Sequence, residues 1–125
     1  MAETRPNVPQ VLASNVWIPV VETADAIFYM SNRIWEDEGG AVRGLWEVQD
    51  LKQKAPDGVM SMRLYTEFAC GKELHRILSL ATYSGPMLSG ELLSDETHFS
   101  DWRPVQPGTA SASICKRVCG TAGQP

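Results

Sequence analysis

The chain has 125 residues, 43% of them hydrophobic and 21% charged, with a net charge of −4 at neutral pH. That length allows one domain with one core, and that composition excludes disorder along the whole chain. The acidic balance, with no run of Lys or Arg longer than Lys116-Arg117, argues against nucleic-acid binding, which needs a clustered basic surface.

No stretch reaches the roughly 18–20 apolar residues of a membrane-spanning helix. The start, MAETRPNVPQVLAS, lacks the basic and apolar regions of a secretory leader. Two readings fit: a cytosolic protein, or a mature exported form whose leader is absent from this chain.

Residues 1–14, with Pro6 and Pro9, read as a flexible N-terminal arm, 15–120 as the globular domain, and 121–125 as a tail. The runs VWIPVVE and AIFYM are β-branched and aromatic, separated by the turn residues Thr23 to Asp25, and predict two strands. Pro19 lacks a ladder donor, which predicts an edge or an irregular step in the first of them. Glu36 to Gly40 makes a hairpin loop, and AVRGLWEVQDL follows with Val42, Trp46 and Val48 on one face. Pro56-Asp57-Gly58 is a turn, because proline presets φ and glycine tolerates a positive one.

The next strand alternates most clearly. Met60, Met62, Leu64, Thr66, Phe68 and Cys70 share one side, and Ser61, Arg63, Tyr65, Glu67 and Ala69 the other. Period two predicts a half-buried antiparallel strand with its second, polar side open. ELHRILSLATY is a further strand, SGPMLSG must bend, and ELL adds a short strand. Ser94 to Gly108 reads as a long polar loop, pinned by its aromatics. Thr109 is a candidate N-cap, Ile114, Cys115, Val118 and Cys119 form a helical stripe, Lys116 and Arg117 suit the last turn, and Gly120 suits the residue after it. This predicts a helix of about 11 residues, a common length. Strands followed by one helix give an α+β fold, an antiparallel sheet of five to six strands with the C-terminal helix on one face.

The chemistry-bearing residues are sparse. His75 and His98 are the candidate bases for a Cys–His or Ser–His site, and no G-x-S-x-G or other nucleophile motif flanks either. Three cysteines and two histidines lack the paired knuckles of a structural zinc site, so no metal and no cofactor are expected. Glycine-rich phosphate motifs are absent. A strand-end Cys70 and a helical cysteine, both on apolar faces, make a sensible staple closing a loop of about 50 residues. Cys115 and Cys119 are poorly placed to pair with each other, since helical i, i+4 positions hold their Cβ atoms about 5–6 Å apart. Either one can therefore be the partner of Cys70. Trp35, in a polar context, is expected to be the exposed aromatic.

The segments VWIPV, AIFYM, Leu45-Trp46, YTEFAC, RILSLATYSG, DWRPVQPGT and KRVCG, in that order, resemble the surface-adhesin protein E family of Gram-negative bacteria, from about Asn15 to Gly120. The resemblance implies an antiparallel sheet tied to a C-terminal helix by a disulfide between Cys70 and Cys119. It implies export to the periplasm or the cell surface, where disulfides persist. Ala69 stands where a family Asp is common, and Cys115 is additional. Members of the family bind host extracellular-matrix proteins such as vitronectin and laminin. The implied function is a non-enzymatic exported binding domain, the alternative a structural subunit of a larger bacterial assembly. The expected partner-binding residues are Arg63, Tyr65 and Glu67 on the polar sheet side, Lys52 and Lys54 in the adjoining loop, and Trp35. A homo-oligomer stays open, because an exposed Cys115 can link two copies.

Overall fold

A computed structural model describes residues 15–97 and 100–120. The arm and the tail expected from sequence, and His98, lie outside the described residues. The chain forms strands β1 (Trp17–Glu22), β2 (Ala26–Ser31), β3 (Trp35–Glu36), β4 (Val42–Leu51), β5 (Ser61–Ala69), β6 (Leu74–Tyr83), β7 (Leu92–Thr97) and β8 (Arg103–Pro104), then helix α1 (Ala110–Cys119). All pairings are antiparallel, in the order β1-β2-β4-β5-β6-β7. The short β3 continues along the edge of β4 beyond β2, and β8 does the same along β6 beyond β7. The sheet is thus six strands wide, and the α+β expectation holds.

The turns form where their chemistry predicts. Thr23 Oγ1 accepts from the N–H groups of Asp25 and Ala26. Asp57 Oδ1 accepts from Val59 N–H at 3.2 Å, and Gly58 takes φ +91°. Proline at position 19 sits on edge strand β1, and the register slips just after it, between Pro19 and Val21. Ser84–Gly90 bends through two consecutive non-glycine residues with positive φ, Met87 and Leu88. Such backbone costs energy unless its surroundings hold it. Here Asp50 Oδ1 accepts from Met87 N–H, and the buried Ser61 hydroxyl accepts from Leu88 N–H while donating to the Gly85 carbonyl. The polar run after β7, expected to be a long loop, is shorter than that: β7 extends to Thr97, and β8 returns the chain to β6.

Helix α1 starts as its sequence dictates. Thr109 Oγ1 accepts from Ala112 N–H, and Gly120, at φ +54°, donates its N–H to the Lys116 carbonyl at 2.7 Å. At the helix end, Arg43 Nη1 donates to the Val118 carbonyl at 2.9 Å, satisfying one of the last-turn acceptors. Ile114, Val118 and Cys119 pack on Met30, Leu45 and Phe68, with Ile18, Val20 and Phe28 beside them. Burying such aliphatic side chains contributes about 1.5–3 kcal/mol each.

The other sheet face is covered as well. Trp46, Tyr65 and Leu78 form a second buried cluster, with Trp17 packed against it. A bulge produces this arrangement: Tyr65 pairs with Ser79 and Thr66 with Ile77, so Leu78 is the extra residue and joins the Trp46 side.

Candidate functional site

Cys70 leaves the end of β5 on the helix side, and its sulfur is bonded to that of Cys119 in the last turn of α1, with the Cα atoms 5.6 Å apart. Cys115 is a free thiol, one helical turn earlier, with its Sγ 4.0 Å from that of Cys119. Burial, and then the charge of Glu73, push the Cys115 thiol above its ordinary pKa. A cavity of about 290 Å³ opens beside these sulfurs, with Val105, Pro107 and Ala112 on its apolar wall and Glu73 and Lys116 among its charged residues.

The face opposite the helix is built from arginines and aromatics. Arg63 on β5 holds its guanidinium 5.0 Å from the Trp46 ring centre and 5.9 Å from that of Tyr83, and its Nε and Nη2 donate to Tyr83 Oη at 3.3 and 3.2 Å. Trp46 and Tyr65, a cross-strand pair, meet edge to face at 5.1 Å. Arg76 on β6 lies opposite Glu67 and donates to its Oε1 at 3.1 and 2.9 Å, and the same guanidinium stacks 4.3 Å from the Trp102 ring centre. Trp102 thus pins the chain just before β8 to the sheet.

The expected open polar side of β5 is corrected here. Tyr65 is 4% exposed and Glu67 2% exposed. Strand periodicity shows which residues share a side, but it does not show what lies on top of them. Trp17, Trp46 and Trp102 come from three other segments and cover that side. Arg63 is half-buried between its two rings. Trp35 is also corrected: it is half-buried in β3, paired with Gly44. Lys52 and Lys54 are exposed in the β4–β5 loop, and Lys52 Nζ is paired with Glu22 Oε2 at 2.6 Å. These six residues do not form one patch. Trp35 is at the disulfide end of the sheet, since Gly44 lies two residues from the Val42–Ala69 pair, and the lysines follow the far end of β4.

Among the described residues, no three His, Cys, Asp or Glu side chains are placed to hold a metal ion, and no helix is long and apolar enough to cross a membrane. His75 stacks on Phe68, with ring centres 5.9 Å apart, and its burial lowers its pKa. Sequence reasoning overlooked two groups. Arg76 was one cation in an ordinary strand until the fold brought Trp102 over it. Glu47 lies on the helix side of β4, opposite Met30 and Leu64, and burial raises its carboxyl to about 7 despite a hydrogen bond from the Thr66 side chain.

A family model described as surface-adhesin protein E matches residues 17–120. The chain belongs to that family. The fold agrees with the match. The chain is similar to the structure of Haemophilus influenzae protein E at 18% identity and a TM-score of 0.64, with 94% of this chain and 92% of that one covered. It matches crystal form II of the same organism's protein E at 16% identity and a TM-score of 0.66, with 98% and 100% covered. It matches protein E from non-typeable Haemophilus influenzae at 17% identity and a TM-score of 0.59, with 92% and 82% covered. No curated protein matches the chain significantly. The family's sheet-to-helix disulfide, expected from the resemblance, is the one found between Cys70 and Cys119.

Proposed function

We propose that this adhesin-family domain is a non-enzymatic, exported module that binds a protein partner, with host extracellular-matrix proteins as the partner class. The family match over nearly the whole described domain carries this reading. The disulfide supports export, because such bonds persist in oxidising compartments. The buried Tyr65 and Glu67 then stiffen the sheet, and contact falls to the cations that solvent reaches, Lys52, Lys54 and the rim of Arg63. Partner contact through these residues is tested by surface plasmon resonance on immobilised vitronectin and laminin. Charge reversal by Lys52→Glu with Lys54→Glu should weaken binding roughly tenfold, because rim charges act mainly on association. Unchanged binding would remove this surface, and no binding to either matrix protein would remove the partner class.

A second reading, a subunit of a bacterial assembly, is favoured by one corner of the sheet. Val16 and Ile34 are both exposed there, and Val16 is hydrogen-bonded through its backbone to Asn32. Co-purification of a stoichiometric bacterial protein from native membranes, lost on Ile34→Ser, would support it.

A further inference from the structure

Strand β7 closes the sheet at the end opposite β1, and among the described residues it is paired on one side only, with β6. An outer strand presents a row of backbone N–H and C=O groups to any chain that can lie against it. Leu92 is 52% exposed and Leu93 42%, and Asp95, Glu96 and Thr97 are exposed too. Leu93 is the extra residue of a bulge: Tyr83 pairs with Leu92 and Thr82 with Ser94. A bulge sets two successive residues against one partner residue, so the two leucines lie side by side at the start of the strand. Ser94 is anchored inward, its hydroxyl 2.7 Å from that of Thr82.

The charge along this stretch of chain has one sign. From Ser84 to Trp102 the chain holds the carboxylates Glu91, Asp95, Glu96 and Asp101 and no lysine or arginine. Glu91, Asp95 and Glu96 make no ion pair among the described residues. A second copy of β7 laid on this edge would bring its own carboxylates close to these, and like charges repel. The same field attracts a cationic strand. Resting on the binding-domain reading above, we propose that β7 takes up an extended cationic segment of a partner protein by strand addition. Its apolar residues meet Leu92 and Leu93 and its basic residues meet Asp95 and Glu96. Backbone bonds would supply affinity, and this apolar-then-acidic order would supply direction.

The probe, read by anisotropy, is a fluorescent nine-residue peptide of two leucines, one serine, three consecutive lysines and three threonines, whose lysine run presents cations on both faces of an added strand, as the successive Asp95 and Glu96 do. It should bind the full chain, with affinity falling roughly tenfold when salt is raised enough to screen surface charges. Asp95→Lys with Glu96→Lys, both on the surface, should weaken it by roughly tenfold or more. The same peptide N-methylated at alternate residues keeps its charge and loses its donors, and it should not bind. Equal binding of the N-methylated peptide, equal binding by the charge-reversed variant, or no binding of the parent peptide would each overturn the proposal. Because the assay contains no matrix protein, its failure leaves the vitronectin and laminin result standing, and the reverse also holds.

Discussion

The Glu67 carboxylate and the Arg76 guanidinium form an ion pair beneath the Trp102 ring, on a sheet side where Glu67 is 2% exposed. Breaking a buried pair removes the survivor's closest counter-charge, which costs about 3–5 kcal/mol. Glu67→Ala and Arg76→Ala should each destabilise by about that much in urea unfolding. The double variant should cost less than the two together, because the shared ion pair is counted only once in it. Additive losses would show that the two groups act independently.

Gly44 and Tyr65 are matched by space. A Cβ placed on Gly44 would stand 2.5 Å from Tyr65 Oη and 2.9 Å from its Cζ. Gly44 lies within β4 and is not at a positive φ, so its role is to admit the ring. Gly44→Ala should therefore destabilise by about 2 kcal/mol, the usual scale of overpacking in a filled core. Adding Tyr65→Phe removes the nearest atom and should recover part of that loss. Alanine tolerated without change in thermal midpoint would refute this packing.

Glu47 makes stability depend on pH in an unusual direction for a carboxylate. Its folded pKa is raised from 4.5 to about 7, so between those values the folded state binds more protons than the unfolded one. Stability from this group is full below pH 4.5 and falls as pH rises through about 7. Glu47→Gln should flatten that decline and stabilise the protein by a few kcal/mol at pH 8. Unfolding midpoints from pH 4 to 8 on both proteins will show it. Parallel curves would mean that Glu47 is ionised in the fold.

The three cysteines should differ sharply in reactivity. Without reductant, alkylation should label Cys115 and leave Cys70 and Cys119 untouched. Labelling should be slow at neutral pH and accelerate as pH rises, because burial and Glu73 hold the thiol in its neutral form. Cys70→Ser with Cys119→Ser should cost about 3–4 kcal/mol, the chain-entropy scale for a loop of this size. Peptide mapping that finds Cys119 labelled before reduction would contradict the pairing.

Local chemistry made much of this fold legible. Alternation along Met60–Cys70, the Pro56-Asp57-Gly58 turn, the Thr109 cap and the Gly120 stop each act within a few residues of themselves, and each appears where its residues predict. The phase of Cys70 placed its sulfur on the helix side. The choice between Cys115 and Cys119 came from the family resemblance, because a helix brings both to the same stripe.

The surface was less legible, and Tyr65 and Glu67 show why. Their strand pattern assigned them a common side, and they do share one. Whether that side meets water depends on Trp17, Trp46 and Trp102, which reach it from β1, β4 and the segment before β8. The bulge that turns Leu78 toward Trp46 shows in its own strand only as the apolar doublet Ile77-Leu78, which does not say which residue is the extra one. Turns, caps and strand phase follow from short-range sterics and hydrogen bonds. Burial and exposure follow from contacts between residues far apart in the chain, so the covered sheet face, the raised Glu47 carboxyl and the open acidic edge at β7 were decided only when those segments came together.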